Sequence, residues 1–256
     1  VTPLFCTIGM VNGTGAVSHT RPIITHSVNK SMPVSLFHQL YAAVDAHQRP
    51  DAAQRDEQCL RRSGERPQLL AAGSQRALLV FDVLSSAAAA APACRSVIDP
   101  DAPVFAVPGD MPGRIAEYCR KTGQYVPKTP GETVRVIFDS LALCYRRTIE
   151  GVAELCGFRP TAINIVGGGS RDTLLDSITA DICGLPVVAG PTEATAVGNI
   201  AVQLMAAEKM SAAEARELVR RSFPTSVFEP KSAPSTYDGV YEKFERLVAA
   251  RSEHSL

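Results

Sequence analysis

Gly167, Gly168 and Gly169 follow the apolar run Ile163–Val166 and precede Arg171, Asp172 and a helical pattern. A strand, a glycine turn and a helix start make a place where a ligand can approach the backbone closely. Glycine lacks the Cβ that would stand in the way, and the first N–H groups of a helix favour electron-rich groups. The spacing argues against two phosphate-binding loops. The dinucleotide fingerprint G-x-G-x-x-G has Asp172 where its third glycine belongs. Its ribose-binding acid would be Glu193, but that residue follows Pro191-Thr192 at a helix start and does not end a strand. A P-loop needs G-x-x-x-x-G-K-[ST], and no such lysine follows Gly169. A tight turn that binds nothing stays open on these residues alone. A second backbone-rich turn lies far up the chain at Asn12-Gly13-Thr14-Gly15. Asn-Gly is the dipeptide most favoured in primed hairpin turns, and a turn rich in N–H donors can face a phosphate.

The other candidate residues have structural readings. Asp99, Asp101 and Asp110 sit in turns rich in Pro and Gly, where Asp bonds local backbone. Glu132 is the far member of a capping box, Thr129-Pro130-Gly131-Glu132. Asp139 reads as an exposed or locally paired helix residue, and Glu193 as a helix cap in preference to a metal ligand. His19, His26, His38 and His47 show no ligand spacing. Ala194, Ala196, Gly198 and Ala201 read as a small-residue face that allows close helix packing. The seven cysteines are scattered and form no C-x-x-C pair, which argues against zinc and against a disulfide scaffold. Cys144, Cys156 and Cys183 read as small apolar fillers in helices, and a reducing cytoplasm suits such usage.

The elements that must position these residues are well punctuated from Asp82 onward. "PLFCTIGMVNGTGAVSHTRPIIT" reads as a β-hairpin, and Pro112 to Lys121 as a short helix. The capping box opens a long helix whose apolar residues Val134, Ile137, Phe138, Leu141, Tyr145, Ile149 and Val152 repeat at helical spacing, with Gly157 to close it. Strands are expected at 162–166 and 185–189, and helices at 171–183 and 192–207. Ser211 and Glu214 form another capping box, for a helix to about Arg221. An amphipathic helix is expected around Tyr237–Val248. The alanine run at 85–93 reads as helix or linker. Residues 31–80, rich in Gln, Arg and Asp, show no sustained period and read as a solvated or disordered insert, or as a segment of disturbed reading frame. A hairpin followed by helices alternating with buried strands indicates an α/β fold with a mixed sheet covered by helices.

Bulk properties fit that class. Of 256 residues, 45% are hydrophobic and 20% charged, ordinary for a globular protein. Lys+Arg and Asp+Glu balance at 26 each, so no overall field points to nucleic acid or a membrane surface. No apolar run reaches the ~18–20 residues of a membrane span. The first residue is Val and no signal-peptide pattern follows it, from which we expect the chain to begin inside a longer protein.

The stretch "IVGGGSRDTLLDSITADICGLPVVAGPTEATAVGNIAVQLM" closely resembles the C-terminal domain of the FGGY carbohydrate kinases. "RSVIDPDAPVFAVPGDMPGRIAEYCRKTGQYVPKTPGETVRVIFDSLALCYRRTIE" extends the resemblance, which runs over about residues 82–230. "VAGPTEATAVGNI" points to the branch that phosphorylates rhamnulose. "NGTGAVSHTRPIIT" is similar to the family's hairpin with Ser-Gly-Thr-Trp, with Asn12 and Gly15 replacing its Ser and Trp.

The resemblance implies an actin-like ATPase (ribonuclease H-like) C-terminal domain over residues 1–230, followed by a C-terminal helix and tail at 231–256. It implies ATP and Mg2+ as cofactors, and no nucleic-acid or membrane partner. Gly167, Gly168 and Gly169 would form the wall on which adenine lies, and Gly13 and Thr14 would face the phosphates. Asp172 stands where the family often has Asn. An amide both donates and accepts, whereas a carboxylate only accepts, so weaker or altered nucleotide binding is expected. The family places the catalytic Asp, the sugar pocket and the first phosphate loop in the N-terminal domain, and this chain begins at the second phosphate hairpin. No catalytic residue and no metal ligand is therefore assigned here. The family's Asn-Glu-Gly-Gly and Gly-Leu-Trp stretches are not recognisable between residues 29 and 80, in keeping with the absence of Trp. Two readings follow. One is the nucleotide-binding half of a kinase converting L-rhamnulose to L-rhamnulose 1-phosphate, inactive alone. The other is a non-catalytic nucleotide-binding domain or an inert remnant.

Overall fold

The computed structural model describes residues 7–10, 82–106 and 109–253. The expected hairpin turn with Gly13 and Thr14, the segment 31–80 and the four N-terminal histidines lie outside the described residues. The described part falls into two compact units. One holds the sheet and residues 142–239, and the other holds 82–141 and 240–253.

The first unit is built on four strands in the order β1 (Thr7–Met10), β2 (Ile163–Val166), β3 (Val187–Ala189) and β4 (Ser226–Phe228). β1 runs antiparallel to β2 with Thr7 opposite Val166, β2 runs parallel to β3, and β3 runs antiparallel to β4. The sheet is thus mixed, as expected. Strand β4 was not legible: three residues, Ser-Val-Phe, carry no alternation and become a strand by pairing with β3. Ile163, Ile165 and Val187 point to one face and form a core with Ile149, Ala180 and Cys183.

The helices follow their end signals. Label α1 denotes helical residues 82–89, so the alanine run begins as helix. Helix α2 (Met111–Lys121) is capped by Asp110, whose carboxylate accepts from the Gly113 amide at 3.0 Å. Helix α3 (Pro130–Cys156) starts at the expected capping box. Glu132 N–H donates to Thr129 Oγ1 at 3.2 Å, and Thr129 N–H donates back to Glu132 Oε2 at 3.3 Å. Gly157, at φ +69°, closes it. The expected helix 171–183 splits into a 3-10 turn, Gly168–Arg171, and helix α4 (Thr173–Cys183). Helices α5 (Ala194–Ala207), α6 (Ala212–Ser222) and α7 (Asp238–Glu253) complete the chain, with the Ser211–Glu214 capping box present at α6.

In the second unit Ile98, Phe105, Met111, Ile115, Phe138 and Phe244 are fully buried. Of the two readings of Asp139, exposed or locally paired, the second holds: it pairs one turn back along its helix and is buried at 0% exposure. Its carboxylate accepts from Arg135 Nε at 2.8 Å and from the Cys94 amide. Asp99, also buried, accepts from its turn neighbour Asp101 and pairs with Arg251 at 2.9 Å. These carboxylates tie a loop to two helices. Among the described residues, the five cysteines are free thiols, and no helix is long and apolar enough to cross a membrane. The small-residue face of α5 was expected to pack closely, yet Gly198 and Ala196 are exposed.

Gly184 ends α4 at φ +64°, and an added Cβ there would come within 2.1 Å of Pro234 Cγ. Gly123 has a similar φ of +65°, with nothing within 4 Å of its Cβ position. Gly123→Ala should therefore cost about 1 kcal/mol, from backbone strain alone. Gly184→Ala should cost roughly 2–4 kcal/mol, because a proline ring cannot swing aside as a flexible chain can. Equal losses in urea unfolding would contradict this assignment of the contact.

Candidate nucleotide site

Parallel pairing of β2 with β3 brings their carboxyl ends side by side. Two turns leave from those ends. One is Gly167–Asp172, and the other is Gly190–Glu193, leading into α5. Backbone hydrogen bonds lock them together: Gly167 N–H donates to the Pro191 carbonyl at 2.9 Å, and Gly190 N–H to the Ile165 carbonyl at 2.8 Å. In sheets of this kind, ligands bind outside the carboxyl ends of the parallel strands.

Of the three glycines, Gly167 is the one whose conformation demands glycine. It lies at φ 82°, ψ −160°, a region that side chains do not adopt. Gly168 and Gly169 begin the 3-10 turn. Ser170 braces it, with both N–H and Oγ donating to the Gly167 carbonyl at 3.1 and 2.7 Å. The Asp172 amide then donates to the Gly169 carbonyl at 3.2 Å. The result is a partly exposed wall of backbone, braced on both sides. Among the predicted site residues, the structure brings Gly167, Gly168, Gly169 and Asp172 together, and Gly13 and Thr14 lie outside the described residues.

Asp172 is 5% exposed and caps α4, its Oδ1 accepting from the amides of Leu174 and Leu175 at 3.1 Å each. A carboxylate on the first amides of α4 gives that helix end its negative charge, so it has little left to offer a phosphate. A neutral, flat, polar group is the better match to this wall. Glu193 occupies the N-cap position of α5, but its side chain makes no capping bond, contrary to expectation. It approaches Arg171 at 3.9 Å, with both side chains more than half exposed, a pair that contributes little to stability.

Sequence reasoning missed Asp176. It is 0% exposed, and among the described residues neither carboxylate oxygen has a hydrogen-bond partner. The signal was present, since Asp176, Ala180 and Cys183 lie on one helical stripe, and Ala180 and Cys183 belong to the core. Burial, reinforced by the Asp172 carboxylate one turn earlier, pushes the Asp176 carboxyl up to about 7. Among the described residues, no group of three or more His, Cys, Asp or Glu could hold a metal ion, so no ligand set for Mg2+ is assigned.

Residues 16–207 match the model of the FGGY family of carbohydrate kinases, C-terminal domain. Over 155 residues the chain is 44% identical to a rhamnulokinase of Bacteroides thetaiotaomicron, covering 60% of this chain and 32% of that protein. Over 164 residues it is 40% identical to a rhamnulokinase of Enterococcus faecalis, covering 63% of this chain and 33% of that protein. The chain spans about a third of the length of these curated relatives. A crystal structure of xylulose kinase from Rhodospirillum rubrum superposes with a TM-score of 0.51 at 22% identity, covering 86% of this chain and 38% of that one. That likeness shows the fold, the actin-like arrangement expected from the sequence.

Two variants test the local electrostatics. Asp172→Ala should lower stability by about 1 kcal/mol through loss of the cap, and Asp172→Asn by less, since the amide oxygen still accepts. Asp176 binds its proton more tightly folded than unfolded, so stability should fall as pH rises from about 4 through about 7 and then level off. Asp176→Asn should remove that fall and leave the protein more stable at pH 8, on the order of 2–4 kcal/mol. Parallel pH slopes for the two proteins in chemical unfolding would contradict the burial of a proton-binding carboxyl.

Proposed function

The chain belongs to the FGGY family of carbohydrate kinases, and we propose that it is the nucleotide-binding half of an ATP-dependent sugar kinase of rhamnulokinase type. The observation that carries this reading is the glycine wall at the carboxyl ends of β2 and β3, beside a helix end already neutralised by Asp172. Such a wall suits adenine, and the phosphates must then extend towards donors elsewhere. The turn Gly13-Thr14 is the segment we assign to them. ATP is the phosphoryl donor in this proposal. The similarity to two rhamnulokinases supports L-rhamnulose as acceptor, with L-rhamnulose 1-phosphate as product.

Phosphoryl transfer requires a held nucleotide, charge neutralisation at the transferring group, and a base for the attacking hydroxyl. The residues described here bear on the first requirement. Gly167–Gly169 offer backbone to a base plane, and Ser170 and Asp172 hold that backbone still. Mg2+, when bound, would neutralise the phosphate oxygens. The base and the sugar pocket are assigned to the N-terminal half that the family possesses. A reducing cytoplasm is the proposed setting, consistent with the free thiols. The second reading, a non-catalytic nucleotide-binding domain or inert remnant, draws on Asp172. Its Oδ1 already serves two amides, and as a carboxylate it cannot donate to an adenine ring nitrogen.

Assayed as the 256-residue chain, with ATP, Mg2+ and L-rhamnulose, the protein is expected to show no ADP release above background. Sustained turnover would refute the division of labour proposed here. By calorimetry, Asp172→Asn should bind ATP roughly 3–10-fold more tightly, the worth of about one hydrogen bond. Unchanged affinity would remove Asp172 from the nucleotide contact.

A further inference from the structure

Asp176 has no part in the nucleotide contact as described above, yet it is the most unusual polar group on α4. Its side chain is fully buried, and Thr179, one turn on, is also fully buried; among the described residues neither the carboxylate oxygens nor the Thr179 hydroxyl has a hydrogen-bond partner. α4 packs on β3, on β4 and on the 3-10 turn Pro234–Tyr237, and Cys183 Sγ donates to the Ala142 carbonyl of α3. The charges that these elements bring are few. β3 and β4 carry none, and the 3-10 turn contributes Tyr237. From α3, Arg146 and Glu150 act on Cys183, at the other end of α4. On α4 itself Asp181 accepts from the Lys231 amide. The charge that acts on Asp176 is Asp172, four residues earlier. Like charges at this spacing on a helix destabilise it, and burial of both enlarges the effect.

We infer that Asp176 is a positioning residue for the nucleotide site, acting through Asp172: neutral, it leaves the Asp172 cap and the Gly167–Gly169 turn firmly held, and ionised, it loosens both. The inference rests on the nucleotide reading above. The route is short and contiguous. Asp172 Oδ1 holds the Leu174 and Leu175 amides, the Asp172 amide holds the Gly169 carbonyl, and Ser170 ties the turn to Gly167. A negative charge placed on Asp176 finds no cation among the described residues and repels the capping carboxylate directly. The first turn of α4 is the part that can yield, because the stripe through Ala180 and Cys183 is fixed in the core. Asp176 is neutral or ionised depending on pH near neutrality, so ATP affinity becomes proton-linked through a residue that need not touch ATP.

The test is ATP titration of the 256-residue chain by calorimetry between pH 5.5 and 8.5, beside Asp176→Asn and Asp176→Ala. The unmodified chain should lose affinity about fivefold or more across that range. Both variants should bind with a nearly constant affinity, close to the low-pH value of the parent. A parent and variants with the same pH profile would overturn the positioning role while leaving the nucleotide site in place. Absence of ATP binding by all three proteins at every pH would reject the nucleotide site and the inference with it. The Ala variant guards against a misfit of the buried Asn amide, and its unfolding curve reports whether the chain still folds.

Discussion

The parallel pairing of β2 with β3 is the constraint from which the candidate site follows. Two strands running the same way must end at the same edge, so the turn after each is delivered to one place whatever its sequence. The exchange of backbone hydrogen bonds between Gly167 and Pro191, and between Gly190 and Ile165, then makes the two turns one surface. Gly167 and Gly190, at φ 82° and 116°, let the chain turn sharply enough to do this. A side chain at either position would open the turn and separate the walls.

Among the described residues, charge at that surface comes from Asp172 on the helix end and from the exposed pair Arg171–Glu193. Helix ends usually invite anions, but α4 supplies its own in Asp172. In the proposed function this separates two roles that a P-loop combines, with the wall taking a neutral base plane and the phosphates drawing on donors from elsewhere. Asp176 stands behind the cap in the dry interior, where a charge is held only at a cost that grows with ionisation. The same helix thus joins the sheet core at Cys183 to the glycine turn at Asp172.

Features determined by residues three or four apart were read correctly. The boxes Thr129–Glu132 and Ser211–Glu214 and the glycine close at Gly157 appear where expected, because their partners are neighbours along the chain. Asp110 behaves as turn chemistry requires. What local spacing does not reveal has a different cause. Asp139 is buried because the Cys94 loop, 45 residues earlier, closes over it. Glu193 does not cap α5, and β4 exists because a strand far back in sequence offers it an edge. None of these can be inferred from local spacing, because the partner is chosen by tertiary packing.

The sequence by itself determined the family, the mixed α/β class, the helix ends and the glycine turn between β2 and the next helix. These depend on backbone conformations and periodicities that a few adjacent residues specify. Tertiary structure alone decided that Gly167 is the one of the three whose conformation demands glycine, that Asp172 points inward to serve its own helix, and that Asp176 has no hydrogen-bond partner among the described residues. Those outcomes depend on which groups lose contact with water, and burial is a property of the packed molecule and not of any one segment.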